Sequence, residues 1–352
     1  MKAILLAGGQ GTRLRPLTLN TPKPVVPIFD RPFLTYQIDL LKQVPEIDEV
    51  VLSLNYQPEA IAAVFGDGAA FGIRMRYVVE PEPLGTGGGI KFASRGIEGP
   101  IVVFNGDVLT EVDLKSVIAL HRSRNARATI VLTPVENPSA FGLVETDGQQ
   151  NIRGFIEKPE PGEITTNRIN AGIYVLETST FDRIPDGVPW SIERKYFPSL
   201  IERGETFLAF DYQGYWIDIG TPEKYLQVHH DILAGRFRAA PFRDEPAPRA
   251  WVSPRAHVSP GATVESPCFI GDGVTVEAGA RIGPLSVVGR NARVEAKAVV
   301  EGAIVWPECI VGPGATVQHA IAGRGCRLGA SATVGPGAVL GDTTHLTDFT
   351  RA

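Results

Sequence analysis

From residue 252 to residue 300 an aliphatic side chain recurs at every sixth position: Val252, Val258, Val264, Ile270, Val276, Ile282, Val288, Val294 and Val300. A six-residue period cannot be an α-helix, whose faces repeat every 3.6 residues. After a step of four residues, Ile304, Ile310, Leu328, Val334 and Leu340 resume the period, with Thr316 and Ala322 as weaker members. Four residues after a leading aliphatic comes a small or short residue: Cys268, Val274, Ala280, Ser286, Ala292, Ala298. Gly271, Gly283 and Gly289 follow the aliphatic directly. The pattern predicts short strands joined at corners into a triangular solenoid, each side supplying one inward aliphatic and one small residue. Cys268 and Cys326 fall on small positions and are expected to be packed thiols.

This period resembles the left-handed parallel β-helix of hexapeptide-repeat proteins, here assigned to residues 251–345 with a tail at 346–352. Upstream the pattern differs. Residues 1–233 alternate strand-like runs ("KAILLA", "EVVLSLN", "MRYVVE", "PIVVFNGD", "ATIVLTPV", "IRGFIEK", "AGIYVLE") with amphipathic stretches such as "PFLTYQIDLLKQV" and "DLKSVIALHRSR". Such alternation predicts an α/β domain around a mainly parallel sheet. The helix "PEKYLQVHHDILAG" closes it, and 234–250, rich in Pro, Arg and Ala without periodicity, reads as a linker. His229 and His230, adjacent on that helix, are expected on its solvated surface.

The net charge of −5 argues against a nucleic-acid partner. No apolar run approaches the ~20 residues of a membrane helix, and "AILLA" is too short for a signal peptide. Three cysteines without a C-x-x-C pair fit a reduced, cytoplasmic protein.

"LLAGGQGTRLRPLTLNTPKPVVPI" (5–28) places glycines, arginines and a lysine behind an apolar strand. It is neither G-x-x-x-x-G-K-[ST] nor G-x-G-x-x-G, since Leu14 stands where the third glycine belongs. Its chemistry still suits a polyphosphate: glycines allow close backbone approach, and Arg13 and Lys23 supply cations. The plainer reading is a tight turn with surface arginines.

The stretch resembles the signature of the sugar-1-phosphate nucleotidylyltransferases, G-G-x-G-T-R-L-x-P-L-T followed by P-K-P. Gly8, Gly9, Gly11, Thr12, Arg13, Leu14, Pro16, Leu17, Thr18 and Pro22-Lys23-Pro24 carry the match. "VEPEPLGTGGGI", "FNGDVL", "FIEKP", "NAGIYV", "SIERKYFP" and "WIDIGTPEKY" follow in the family's order, so the resemblance spans the chain, β-helix included. It implies a Rossmann-like nucleotidyltransferase domain, and among the subfamilies it points to the branch joining GTP to mannose 1-phosphate.

The resemblance assigns roles residue by residue. Leu6, Ala7, Gly8, Gly9, Gly11, Thr12 and Arg13, with Glu80, Gly85, Thr86 and Asn105, are implied to bind the nucleotide, the run "LGTGGG" (84–89) forming a backbone-lined wall. Asp107, after "IVVFN", and Asp218, in "WIDIG", are the implied Mg²⁺ pair; two aspartates suit a cation that takes few carboxylates plus phosphate oxygens and water. Lys158 is implied to meet the sugar phosphate, and Glu157, Asn170 and Gly142 the sugar hydroxyls. Arg13, Lys23, Lys158 and Asp107 are the implied catalytic set. The bland alternative for Glu157-Lys158 is a solvated charge pair. Glu80 bears on base choice: guanine offers two adjacent donors and a carboxylate is acceptor-only. Its alternative is a strand-end glutamate facing water.

The expected reaction is in-line attack of the sugar phosphate on the α-phosphorus of GTP, releasing pyrophosphate. The attacking oxygen needs no protein base, because a phosphate monoester's second pKa is about 6. Three alternatives stay open at this point: ADP-, UDP- or dTDP-sugar formation, a non-catalytic regulator, and a β-helix acyltransferase using His257 or His319. The hexose itself is not settled by any single residue. The solenoid's repetitive face is expected to support a homo-oligomer.

Overall fold

The computed structural model describes residues 1–242 and 249–352. The expected linker therefore lies partly outside the described residues. The chain divides into two compact units, Met1–Gly9 with Leu34–Trp216, and Gln10–Phe33 with Ile217–Ala352.

The first unit is built on a nine-stranded sheet. Its strands are β1 (Lys2–Leu6), β2 (Glu49–Leu54), β3 (Arg74–Val79), β4 (Pro100–Asn105), β5 (Ala128–Pro134), β6 (Gly142–Thr146), β7 (Ile152–Glu157), β8 (Arg168–Glu177) and β9 (Phe207–Asp211). β1 runs parallel to β4 on one side and to β2 on the other, and β2 runs parallel to β3. β8 pairs antiparallel with β4, giving the order β7-β6-β8-β4-β1-β2-β3, while β5 joins β8 and β9 joins β5. Ala3, Ile4 and Leu5 are fully buried, as a parallel strand covered on both faces requires. The seven runs expected as strands are strands. β6 ("GLVET") and β9 ("FLAFD") had escaped notice, being short and of mixed polarity.

Helices α1 (Leu34–Leu41), α2 (Pro58–Phe65), α3 (Gly85–Ala93), α4 (Leu114–Ser123) and α5 (Phe197–Glu202) complete this unit. Because β1, β2, β3 and β4 are parallel, their carboxyl ends share one edge of the sheet. That edge receives residues 7–9, 55, 80 and 105–107, and it is where open α/β sheets hold ligands.

The second unit holds the solenoid. Strands of two or three residues stack in three parallel sheets, which fit the expected left-handed β-helix. One column runs Val258, Val276, Val294, Val311, Leu328, Leu346, each in register with the next. The small positions Cys268, Val274, Ala280, Ser286, Ala292 and Ala298 are all buried. The register after Val300 differs from the expected single step of four. Val305, Val311 and Val317 stand opposite Val288, Val294 and Val300, so Ile304, Ile310 and Thr316 lie one place off the inward column. Left-handed corner residues mark the steps: from Gly273 onward they recur every sixth position except from Lys297 to Gly302 and from Gly314 to His319, where the interval is five. Aliphatic doublets such as Ile304-Val305 and Ile310-Val311 hid this shift, since either member satisfies a hydrophobic count.

Helix α6 (Pro222–Leu233) belongs to the same unit and begins with Thr221 capping the Lys224 N–H. The expectation of two solvated histidines fails here. His229 is fully buried, and the half-buried His230 ring lies 3.1 Å from the Gly302 carbonyl. Adjacent helical positions point about 100° apart, so α6 is covered on more than one side, by Gln10–Phe33 and by the solenoid.

Candidate active site

In the first unit, close backbone approach shapes the edge where β1 and β4 end. The Ala7 N–H bonds Ser53 O at 2.9 Å, and the Gly106 N–H bonds Leu6 O at 2.9 Å. A Cβ at Gly106 would lie 2.2 Å from Leu6 O, and one at Gly8 would lie 2.9 Å from Asn55 N. Glycine is needed at both. Leu6 thus sits beside Asn105, Ala7 beside Gly106, and Gly8 beside Asn55. The Gln37 amide donates to the carbonyls of Asn105 and Val108, at 2.9 and 2.7 Å, and fixes the turn that carries the half-buried Asp107.

The nucleoside corner is more internally bonded than expected. Glu80 Oε1 accepts from the Ser53 hydroxyl at 2.8 Å and Oε2 accepts from the Leu84 N–H at 2.9 Å. The carboxylate therefore ties β2, β3 and the start of α3 together, rather than facing water. Run 84–89 is a helical start, and the N–H groups of Gly87 and Gly88 both donate to Trp190 O, at 2.8 and 3.1 Å. The expected wall thus has two of its donors taken by Trp190. A Cβ at Gly85, Gly87 or Gly88 would come within 3.0–3.1 Å of residues 84, 188 or 190, so these glycines seat α3 against that segment.

The residues implied to meet the sugar lie on β6, β7 and β8. Glu157 and Gly142 are register partners in the β7–β6 pair, and a Cβ on Gly142 would press to 2.9 Å from Glu157 Oε2. Asn170 donates to the Tyr174 hydroxyl at 2.9 Å and accepts from the Gly172 N–H at 2.9 Å. It sits where β8 breaks register with β5. Lys158 is exposed and has φ 55°, held there by its N–H bond to Phe141 O at 3.0 Å. A long side chain with positive φ is uncommon and collects at functional sites.

Burial pushes the Glu157 carboxyl above the ordinary range; the Glu193 charge adds to this, and Lys158 and Arg194 oppose it. Glu193 was missed by the sequence reading. Its Oε2 accepts from Thr86 at 2.7 Å and from Ser191 at 2.8 Å, while the Thr86 hydroxyl accepts the Ile192 N–H. Glu193 therefore bonds the nucleoside corner while its charge reaches the sugar corner. It lies in a π-helical turn, Ile192–Tyr196, a local irregularity often found at functional sites; the motif "SIERKYFP", which contains it, is the sequence signal that could have flagged it.

In the second unit, Gly11 (φ 62°) opens the turn Thr12–Leu14, and Thr18 donates to Gly11 O at 2.7 Å. A Cβ on Gly11 would touch Thr18 and, at 3.4 Å, Lys23 Cβ, so the glycine seats Lys23 beside the loop. The exposed Arg13 guanidinium lies against Gly220, whose N–H bonds Asp218 O at 2.9 Å. The largely buried Asp218 carboxylate is paired with Lys224. This arrangement gathers two cations and a cation-binding carboxylate within one unit.

The donor set fits Mg²⁺. Asp107 and Asp218 offer hard oxygens, and Asp218 already holds a cationic partner. Among the described residues no group of three or more His, Cys, Asp or Glu could hold a metal. A metal at either aspartate would thus complete its shell with phosphate oxygens and water, as Mg²⁺ commonly does.

Comparison with known proteins identifies the family. Residues 2–235 match the nucleotidyl transferase family and residues 264–351 match the GMPPB C-terminal domain. The mannose-1-phosphate guanylyltransferase of Mycobacterium tuberculosis is 40% identical over 85% of this chain and 82% of its own. The probable mannose-1-phosphate guanylyltransferase 1 of Oryza sativa subsp. japonica is 38% identical over 87% and 86%. Among solved structures, HddC from Yersinia pseudotuberculosis, complexed with GMP-PN, is 31% identical with a TM-score of 0.55, covering 64% of this chain and 96% of its own. This chain belongs to the nucleotidyl transferase family.

Proposed function

We propose that the chain is a mannose-1-phosphate guanylyltransferase, converting GTP and mannose 1-phosphate to GDP-mannose and pyrophosphate. The observation that carries this reading is similarity to guanylyltransferases along most of both chains. In this reading the sugar phosphate oxygen attacks the α-phosphorus in line, the bond to the β-phosphate bridging oxygen breaks, and pyrophosphate leaves. The main barrier is repulsion between anions, so catalysis is positioning and charge neutralisation. Arg13 and Lys23 bind triphosphate oxygens, and Lys158 holds the sugar phosphate. Glu157, Asn170 and the Gly142 backbone orient the sugar hydroxyls, the carboxylate accepting and the amide able to do both. Asp107 and Asp218 would hold Mg²⁺, which supplies charge neutralisation on the phosphates. Glu80 stays the candidate guanine acceptor, because each carboxylate oxygen retains a second lone pair beyond its protein bond.

Two further parts of the reading concern the whole chain. The solenoid supports a homo-oligomer, which light scattering of the purified protein would detect. The three cysteines, all buried and unpaired, fit a cytoplasmic setting. Among the described residues no helix is long and apolar enough to cross a membrane.

The test is pyrophosphate release with GTP, ATP, UTP and dTTP against mannose, glucose and N-acetylglucosamine 1-phosphates. GTP with mannose 1-phosphate is expected to lead by about tenfold or more in kcat/KM, a difference of ~1.4 kcal/mol. Another nucleotide in first place would overturn the guanine assignment. Release with no pair would support the non-catalytic alternative.

A further inference from the structure

On one side of the solenoid the residue after the inward aliphatic is small in five of six coils: Ser253 after Val252, Gly271 after Ile270, Gly289 after Val288, Gly323 after Ala322 and Gly341 after Leu340. These aliphatics stack in register, and Val305 stands among them. The residue after Val305 is Trp306. The glycines are there because something lies against them. A Cβ on Gly271 would come 2.4 Å from Asp30 Oδ2, and one on Gly341 would come 3.2 Å from Pro16 Cβ. Asp30 also accepts the Arg290 N–H at 3.0 Å. Segment Gln10–Phe33, which carries Arg13 and Lys23, thus runs along this glycine column. At Gly289, one turn before, a Cβ would come 2.9 Å from Pro307 N and 3.0 Å from the Trp306 backbone, and at Gly323, one turn after, 2.8 Å from Asp342 Oδ1.

Trp306 is 1% exposed, yet its indole N–H has a partner: it donates to the Tyr225 hydroxyl at 2.8 Å. The Tyr225 hydroxyl in turn donates to the Pro27 carbonyl. The direction is set by chemistry, because indole nitrogen only donates and a carbonyl only accepts. A second bond pair runs beside the first. The Phe29 N–H donates to His229 Nε2 at 3.2 Å, and His229 Nδ1–H donates to Tyr225 O at 2.8 Å. These partners require the neutral Nδ1–H tautomer, and burial drives the His229 pKa down to about 3. Both clamps close on residues 27 and 29. From there a short turn, Lys23–Val25, and the bond from Val26 N–H to Lys23 O lead straight to Lys23.

We propose that Trp306 is a positioning residue for nucleotidyl transfer: through Tyr225 and Pro27 it fixes the backbone that presents Lys23, so the solenoid takes part in holding the triphosphate as well as in assembly. This rests on the reading that Arg13 and Lys23 bind the GTP phosphates. A chance bond would need no buried donor chain of fixed direction and no second clamp on the same segment. Here both are present.

The experiment uses the full chain. Trp306→Phe keeps an aromatic ring and removes the donor. It should raise KM for GTP, or lower kcat/KM for GTP, about three- to tenfold, the scale of one net hydrogen bond, while KM for mannose 1-phosphate moves less than twofold. Tyr225→Phe removes both hydroxyl bonds and should give an effect at least as large. The double variant should match Tyr225→Phe alone, because the relay is already broken. Val334→Ala, a core truncation in a later turn away from these bonds, is the comparator: it should lower the melting temperature without the GTP-selective change. If Trp306→Phe does not fold, Tyr225→Phe against wild type decides the matter. An active wild type with unaltered GTP parameters in the variants would overturn the inference, as would equal losses for both substrates or additive effects in the double variant. A wild type releasing no pyrophosphate would instead overturn the proposed function.

Discussion

The two units hold their candidate site residues by different means. In the sheet unit, position comes from strand ends: parallel β1, β2, β3 and β4 deliver their loops to one edge, and glycines at 8 and 106 let the backbones meet. Polar groups there are braced within the unit, as Glu80 is by Ser53 and Leu84. In the solenoid unit, position comes from a repeat. A column of small residues forms a track for Gln10–Phe33, and Trp306 supplies the ring whose bond chain reaches it. Local bracing tolerates change around it, whereas a repeat transmits damage. The consequence is testable from the largest effect downward.

Val276 is fully buried between Val258 and Val294. Val276→Asp forfeits roughly 1.5–3 kcal/mol of apolar burial and adds the cost of a carboxyl without a partner. The solenoid should melt roughly 10 °C or more below its normal transition. Because Arg13 and Lys23 belong to the same compact unit, activity should go with it, even where circular dichroism shows the sheet unit intact. Retained wild-type turnover in a protein whose solenoid has melted would show that the repeat does not position the signature segment.

Asp107→Asn is the matching test in the sheet unit. It should leave melting unchanged and lower kcat about a hundredfold or more, since a neutral amide is a poor Mg²⁺ ligand. Near-normal pyrophosphate release at ordinary Mg²⁺ would remove Asp107 from the site.

Two groups, one in each unit, should respond oppositely to pH. His229 has its folded pKa depressed from 6.5 to about 3. Its contribution to stability is therefore present above pH 6.5 and is lost as pH falls toward 3, by up to ~1.4 kcal/mol per pH unit. Glu157 has its folded pKa raised above 4.5 by burial. Its contribution is present below 4.5 and is lost as pH rises through the folded value. Denaturant melts between pH 7 and 4 should show the solenoid unit weakening faster. His229→Gln, whose amide can also donate and accept, should flatten that slope. An unchanged slope would mean that His229 does not stay neutral on folding.

Much of this was legible in the sequence, for reasons that differ by residue. The six-residue period is visible because every coil repeats one packing problem. Its register differs at Ile304-Val305, Ile310-Val311 and Thr316-Val317, where two neighbouring residues compete for one slot. The resemblance implies a shared role for Gly142 and Glu157, and only the strand register sets the two opposite each other. His229 misled because helical spacing reports one apolar face, and the partner that buries its other side, Phe29, lies 200 residues earlier. Glu193 hid inside the charged run "ERK"; its bond to Thr86 spans 107 residues and leaves no local trace.

Glu80 gives the smallest and most discriminating comparison, because local bracing and base reading make different demands on one carboxylate. With Oε1 on Ser53 and Oε2 on Leu84, a guanine would have to share oxygens that already accept. Each new bond is then worth less than one to an unoccupied carboxylate, nearer the 0.5–1.5 kcal/mol net of an ordinary hydrogen bond. Glu80→Gln should therefore lower kcat/KM for GTP by about three- to tenfold. The loss should fall mainly on KM, since the base lies away from the reacting phosphorus. Any activity with UTP or dTTP should hold steady or rise. The amide can still accept from either Ser53 or the Leu84 N–H, but not from both as an anion does, so melting should fall slightly as well. The two outcomes separate cleanly. A GTP-selective loss makes Glu80 a base reader that also braces its loop. An equal loss for every nucleotide, tracking the fall in melting temperature, makes it a brace alone, and guanine selection must then come from elsewhere at the carboxyl edge of β2 and β3.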